Sequence, residues 1–84
     1  MEEKQKSEVA IAFGKALREA RRASGLSQER LALESGVDRT FVSMLERGIR
    51  QPALATVLAL CTKLATSPGA LIERTESLMR KRAG

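Results

Sequence analysis

Apolar residues recur at intervals of three and four along most of the chain, which is the spacing of an α-helix. The first such run places its members on one face of a helix: Val9, Phe13, Ala16, Leu17 and Ala20. Charged residues fill the other face, and Gly25 is expected to end the helix because glycine readily adopts the positive φ of a C-cap. No segment alternates with the period of two that indicates a strand.

Four further helices are predicted, because helix-starting or helix-ending residues flank each remaining apolar run. These residues are Ser27 and Gly36 for the second helix, Asp38 and Gly48 for the third, Pro52 for the fourth, and Ser67-Pro68 for the fifth. The sequence therefore predicts a compact all-α domain of five helices over residues 8–83. Residues 1–7 are charged and polar with nothing to bury, so we expect a flexible N-terminus there.

The composition excludes several classes of protein. The 84 residues include no histidine and one cysteine, Cys61, so no His/Cys metal site, internal disulfide or catalytic histidine can be built. The acidic residues are scattered and no glycine-rich phosphate loop is present, so we predict no metal, cofactor, small-molecule ligand or enzymatic activity. No apolar run approaches the ~20 residues that span a bilayer, and no cleavable leader is recognisable. We therefore expect a cytoplasmic protein, with Cys61 buried as a small hydrophobe.

The charge balance favours an anionic partner. Fifteen basic residues against 10 acidic ones give a net charge of +5, which attracts nucleic acid or anionic lipid. Phe13 and Phe41 are the only aromatic residues, too few for the stacking platforms that hold single strands. Duplex DNA is therefore the favoured nucleic acid. A membrane-surface role for the basic tail at residues 80–82 has weak support, because no basic helix face pairs with a bulky aromatic edge.

The stretch from Gln28 to Arg47 carries the main functional signal. It contains two short predicted helices joined by a tight turn at Gly36 and Val37. Ala32 falls where the two helices would cross, and its small side chain lets them approach closely. These features predict a helix-turn-helix, whose second helix presents its outer face to the major groove of DNA.

Four segments resemble the XRE-type, lambda-repressor-like helix-turn-helix proteins: LREARRASGLSQERLA, SGVDRTFVSMLERG, RQPALATVLALCTKL and SPGAL. They occur in the family's order between about Phe13 and Ile72. The resemblance implies a lambda-repressor-like domain that binds DNA as a dimer. DRTFVSMLERG is also similar to the small controller proteins of restriction–modification systems, although many phage and plasmid repressors share it.

Arg39, Thr40 and Ser43 lie on the outward face of the predicted third helix, near its start. Arginine donates to guanine O6 and N7, and a hydroxyl group can form hydrogen bonds with several different bases. We therefore predict base contacts for all three residues. Met44 is left open between contact with a thymine methyl group and packing against a neighbouring helix.

Four residues are predicted to contact DNA phosphates: Gln28, Arg47, Arg50 and Gln51. Gln28 opens the second helix, where backbone N–H groups favour a phosphate, and the resemblance implies that it contacts the DNA backbone and braces the recognition helix. The other three follow the third helix, where contacts fix register without reading sequence. Phe41 is left open between the core and an apolar contact near the phosphates.

Glu46 is unexpected in a helix that faces DNA, because a carboxylate repels phosphate. The resemblance implies that it pairs with Arg21 of the first helix and ties the recognition helix to the rest of the domain. The basic tail at residues 80–82 is interpreted as solvated, with a supplementary phosphate contact as the alternative.

A dimer is predicted because one short recognition helix reads too few base pairs for specificity in a genome. Two-fold pairing doubles the site and makes the operator pseudo-palindromic. The fifth helix has more apolar residues than the core obviously requires, so we predict that it forms the dimer interface. The residues concerned are Leu71, Ile72, Leu78 and Met79, and part of the fourth helix could join them.

The main alternative is an antitoxin or a protein-interaction module with the same fold. An apolar start to the third helix would favour a protein partner, whereas the polar Arg39, Thr40 and Ser43 favour DNA. The sequence leaves open the operator, the regulated genes and whether transcription is activated or repressed.

Overall fold

The computed structural model describes residues 7–83, which form five helices. They are α1 (Glu8–Ala23), α2 (Gln28–Ser35), α3 (Arg39–Glu46), α4 (Leu54–Cys61) and α5 (Pro68–Ala83). The prediction of an all-α, five-helix domain is confirmed. The predicted flexible N-terminus lies outside the described residues except for Ser7. None of the helices in the described part of the chain is long and apolar enough to cross a membrane.

Serine side chains begin three of the helices. Ser7 accepts a hydrogen bond from the Ala10 amide at 2.9 Å, and Ser27 accepts one from the Arg30 amide at 3.0 Å. Ser67 does the same for Ala70 at the start of α5. Each hydroxyl satisfies an N–H group that the helix leaves without a partner. Asp38 also occupies an N-cap, but its side chain makes no capping hydrogen bond, so α3 begins with less local support than the sequence suggested.

The core lies between α1 and the remaining helices. Its fully enclosed members are leucines and a valine from α1, α2, α3 and α4: Leu17, Leu31, Val42, Leu45 and Leu60. Cys61 is 7% exposed, and burial raises the pKa of its thiol. The apolar run of α4 is only partly used, because Leu54 and Leu58 face outward. Val9, at the beginning of the predicted apolar face of α1, is also exposed.

Helix α1 approaches α3 closely at a glycine. A Cβ atom on Gly14 would overlap the Leu45 carbonyl oxygen and would lie 2.6 Å from that of Glu46. Gly48, with φ 76°, makes the turn after α3, and a Cβ there would lie 3.0 Å from the Cα of Ile11. Both close contacts join α1 to the end of α3 or to the turn that follows it. The C-terminal end of α3 therefore packs directly against the backbone of the first helix.

Helix α5 packs along the opposite side of α1. Leu71 fills the core at 2% exposure, and Arg74 donates two hydrogen bonds to Glu19 of α1 at 2.9 and 3.0 Å. The loop before α5 is also held, because the Ala65 amide donates to the Ser24 hydroxyl at 2.7 Å. Helix α1 therefore forms the scaffold on which both α3 and α5 are placed.

Candidate nucleic-acid interface

Helices α2 and α3 form the predicted pair joined by a tight turn. Gly36 ends α2 in the left-handed conformation, with φ 74°, and the Val37 amide donates to the Ala32 carbonyl at 3.0 Å. Ala32 is 2% exposed and lies in the core. A larger side chain at this position would separate the helices. The turn thus fixes α3 relative to α2 through the backbone.

The two faces of α3 have opposite character. Val42 and Leu45 are fully buried, which anchors the inner face. Arg39 and Thr40 are exposed at the first turn, and Ser43 is half-buried one turn later. The structure therefore brings the three predicted base-contacting residues onto the first two turns of one anchored helix. That they contact bases stays a prediction.

Glu46 sits at the end of α3 with no exposed side-chain surface and accepts four hydrogen bonds. Arg21 donates from Nε to Oε2 at 2.6 Å and from Nη2 to Oε1 at 3.1 Å. Gln28 and Arg18 also donate to Oε1, at 3.0 and 3.4 Å respectively. The structure thus forms the Arg21–Glu46 pair that the resemblance implied, and joins two more side chains to it.

The charge state of Glu46 follows from these contacts. Burial raises the pKa of this carboxyl group, but hydrogen bonds from Arg21, Gln28 and Arg18, together with the charge of Arg21, more than offset that effect. The pKa therefore lies below its usual 4.5. Glu46 is a carboxylate at neutral pH, and the guanidinium groups of Arg21 and Arg18 offset its negative charge.

The predicted phosphate-contacting residues have different surroundings. Gln28 is half-buried and bonded to Glu46, which provides the bracing of α3 that the resemblance implied. Arg47 donates from Nε to the Ser43 hydroxyl at 3.2 Å, along the exposed side of α3. Gln51 donates to the Ser7 hydroxyl at 3.2 Å, at the start of α1. Their contacts to phosphate stay predictions.

Arg50 is exposed in the loop after α3, and its guanidinium carbon lies 5.9 Å from the centre of the Phe41 ring. This is within the range of a cation–π contact. Phe41 is half-buried and packs against the core. The ring thus packs against the core and lies under Arg50, while an apolar contact of Phe41 near the phosphates stays a prediction.

The predicted dimer-interface residues of α5 differ in accessibility. Leu71 is in the core, so almost none of its surface is available to a second copy, and Leu78 packs partly against the same core. Ile72 is 45% exposed. Ile72 and Met79 line an apolar groove of about 320 Å³ between α1, α5 and the loop before α4. Of the four predicted interface residues, Ile72 is therefore the exposed one, and the half-buried Met79 lines the same groove.

Two residues near α3 were not found by the sequence analysis. Gly14 permits the close approach of α1, and Arg18 contacts Glu46. An isolated glycine inside an amphipathic helix was a detectable signal, because glycine is unfavourable in a helix interior relative to alanine. Arg18 gave no such signal, because it follows the pattern of an ordinary charged residue on the polar face of α1.

The fold and the exposed polar start of α3 define a helix-turn-helix DNA-binding protein. The sequence profile of the helix-turn-helix family matches residues 17–71. This chain belongs to the helix-turn-helix family of DNA-binding transcription regulators. The prediction of an XRE-type, lambda-repressor-like domain is confirmed.

Similar proteins include restriction–modification controllers. The chain is 34% identical to control protein C.BamHI of Bacillus amyloliquefaciens over 68 residues, which cover 80% of this chain and 84% of the relative. The crystal structure of the controller protein C.AhdI of Aeromonas hydrophila superimposes with a TM-score of 0.71 at 48% identity, covering 74% of this chain and 94% of that one. The clp gene regulator ClgR of Corynebacterium glutamicum gives a TM-score of 0.87 at 26% identity, covering 94% and 84% of the two chains.

Proposed function

We propose that this protein binds a specific duplex DNA sequence through α3 and regulates transcription from that site. The observation that carries the proposal is the contrast within α3, whose inner face is locked into the core while Arg39 and Thr40 project from its first turn. A rigid helix with polar side chains at its exposed start fits the major groove, where base edges can be read. No catalytic step is part of the proposed function.

Arg39 and Thr40 read the bases in this proposal. Arg39 donates two hydrogen bonds to guanine O6 and N7, which is the commonest specific contact in the major groove. Thr40 offers both a hydroxyl and a methyl group to its neighbouring base. Ser43 lies one turn further along and is half-buried, so we assign it a smaller part in base recognition.

Contacts to the DNA backbone come from four residues in this proposal: Gln28, Arg47, Arg50 and Gln51. They fix the register of α3 on the duplex. Arg50 has a defined direction because it lies over the Phe41 ring. Gln51 donates to the Ser7 hydroxyl at the start of α1, which supports a fixed orientation of its side chain. These contacts supply affinity for any sequence and depend on salt concentration.

The protein acts as a homodimer on a pseudo-palindromic operator. Half-sites about 34 Å apart, or a multiple of this distance, place two recognition helices on the same side of the duplex. The apolar surface around Ile72 and Met79 provides a contact for the second copy. One of the similar proteins, C.AhdI, is named as a restriction–modification controller, so we propose an operon of this kind, or a phage-type operon, as the target.

The test is selection of binding sites from random duplex DNA, followed by footprinting and affinity measurement. Arg39→Ala is expected to cost ~1–3 kcal/mol in binding and to relax the preference at one position of each half-site. Lys63→Ala is the matched control, because it removes one positive charge from an exposed position just after α4 that has no assigned DNA contact. Unchanged affinity and an unchanged selected motif for Arg39→Ala would overturn the assignment of α3 as the reading helix.

A further inference from the structure

Glu46 and the three side chains that donate to it, Arg18, Arg21 and Gln28, form the Glu46 cluster. The cluster contains more positive charge than the one carboxylate neutralises. Arg18 and Arg21 both donate to the one carboxylate of Glu46, so these three side chains carry a surplus of one positive charge. The cluster joins α1, α2 and α3, because Gln28 donates to the same carboxylate. The location of the surplus charge follows from the hydrogen bonds of each arginine.

Arg21 uses its guanidinium group inside the protein. Its Nε and Nη2 atoms donate to Glu46, and its Nη1 atom donates to the Leu26 carbonyl at 2.7 Å. Its side chain is 10% exposed. Arg21 therefore has little capacity left for a ligand, and its charge is matched by the buried carboxylate.

Arg18 has the opposite character. Its side chain is 46% exposed, and Nε donates to Glu46 at 3.4 Å, the longest of the four hydrogen bonds in the cluster. Within residues 7–83 its two terminal nitrogens donate no hydrogen bond. The surplus charge thus lies on Arg18, with most of its donors directed to the surface.

Gln28 brings a second donor to the same place. Its Nε2 atom gives one hydrogen to Oε1 of Glu46, the oxygen that also accepts from Arg18. An amide nitrogen carries two hydrogens, so one remains for an external acceptor. Gln28 Nε2 and Arg18 Nε lie 3.0 and 3.4 Å from the same Glu46 oxygen. The distance between these two nitrogens therefore cannot exceed the sum of the two hydrogen-bond lengths.

We propose that Arg18 and Gln28 together bind one phosphate group of the DNA backbone, and that Glu46 positions both donors from below. An arginine and an amide at this separation can donate to two oxygens of one phosphate. When Arg18 turns outward and donates to the phosphate instead of to Glu46, Glu46 keeps its three other hydrogen bonds. The buried carboxylate therefore stays paired with Arg21. The proposal rests on the proposed DNA-binding function and adds Arg18, a residue of α1, to the contact surface.

The test measures affinity against salt concentration for Arg18→Gln, Arg18→Lys and the control Lys63→Gln, whose position is exposed after α4. The probes are a duplex selected with the wild-type protein and an unrelated duplex of equal length. Arg18→Gln is expected to weaken binding to both duplexes by the same factor and to reduce the salt slope by about one unit per protomer. Arg18→Lys keeps the charge and is expected to retain most of that slope. Thermal unfolding followed by circular dichroism is expected to show all three variants folded, because both substituted positions are exposed.

A double-mutant cycle tests whether Arg18 and Gln28 act on one phosphate. If they do, Arg18→Gln and Gln28→Ala together weaken binding by a factor different from the product of the single effects. An effect of Arg18→Gln no larger than that of Lys63→Gln, or strictly multiplicative effects in the cycle, would overturn the proposal. Failure of the wild-type protein to select any duplex would instead overturn the proposed function itself.

Discussion

At the scale of single residues, Glu46 links stability to the proposed interface. Its buried carboxylate accepts from Arg21, Gln28 and Arg18. Removing one partner of a buried ion pair is costly because the other charge remains in the interior without compensation. The same residue therefore seats α3 on α1 and directs a proposed phosphate-contacting side chain.

Glu46→Gln is expected to lower the free energy of unfolding at pH 7 by about 3–5 kcal/mol, since Arg21 keeps its buried charge without a counterion. The pKa of Glu46 is lowered in the folded protein, so its stabilisation is fully present above its usual pKa of 4.5 and is lost as the pH falls through the folded value. The difference between variant and wild type should thus shrink in acid. Urea unfolding at several pH values checks this, followed by circular dichroism because the chain has no Trp or Tyr.

Glu19→Gln is the control for this prediction. The hydrogen bond from Arg74 lowers the pKa of Glu19 despite a smaller opposing effect of burial, but the pair is largely exposed and solvent screens it. A small loss of stability is therefore expected. An equal loss for both variants at pH 7, or a Glu46→Gln difference that stays constant below pH 4.5, would contradict the role assigned to the Glu46 cluster.

At the scale of helices, the orientation of α3 depends on its contact with the backbone of α1. Gly14→Ala would place a Cβ atom against the Leu45 and Glu46 carbonyls, so the two helices must separate. We expect a loss of about 1–3 kcal/mol from overpacking, which outweighs the gain of up to ~1 kcal/mol from replacing a glycine inside a helix. Thermal unfolding measures the loss, and DNA affinity should fall with it because α3 shifts relative to α1, the helix on which it is seated.

Gly69→Ala provides the comparison within the same chain. Gly69 lies in the first turn of α5, and the nearest atom to a Cβ there is the Ser67 hydroxyl oxygen at 4.0 Å. This substitution is expected to be neutral or slightly stabilising. If Gly14→Ala behaved in the same way, the close approach of α1 and α3 would not control the position of the recognition helix.

The sequence predicted the helices more successfully than the contacts between them. Periodicity and capping residues are local, so the five helices and the turn at Gly36 were predictable. The close approach at Gly14 depends on two segments that are distant in sequence. The accessibility of α5 likewise required the fold, because Leu71 and Ile72 are adjacent apolar residues and only the packing on α1 decides which one is buried.

At the candidate site, residue types indicated the chemistry, and the resemblance supplied the Arg21–Glu46 pair. The part that Arg18 plays could not be predicted, since an arginine on the polar face of an amphipathic helix has no distinctive pattern. Its significance arises from sharing one oxygen of Glu46 with Gln28. Sequence thus predicts which side chains are available, and the fold decides which of them meet.

At the scale of the whole molecule, the positive charge is not concentrated on the reading helix. The segment 38–51 has a net charge of +1, from Arg39, Arg47 and Arg50 against Asp38 and Glu46, out of +5 for the chain. Most of the rest is on α1 and α5. The total charge therefore attracts DNA in general, whereas in the proposed function the selection of a sequence depends on the start of α3 and on the pairing of two copies.

The pairing of two copies is tested with the double substitution Ile72→Gln/Met79→Gln, which makes the accessible part of the predicted interface polar without changing net charge. We expect sedimentation to show a shift from dimer to monomer, because burial of both apolar side chains contributes ~1.5–3 kcal/mol each. Binding to a complete operator should weaken strongly, whereas binding to an isolated half-site should change little. The control Glu73→Gln/Arg80→Gln alters two exposed residues of the same helix, also with no change in net charge, and should remain dimeric. A double variant that stays dimeric would place the interface elsewhere, with exposed Leu54 and Leu58 of α4 as the next surface to substitute.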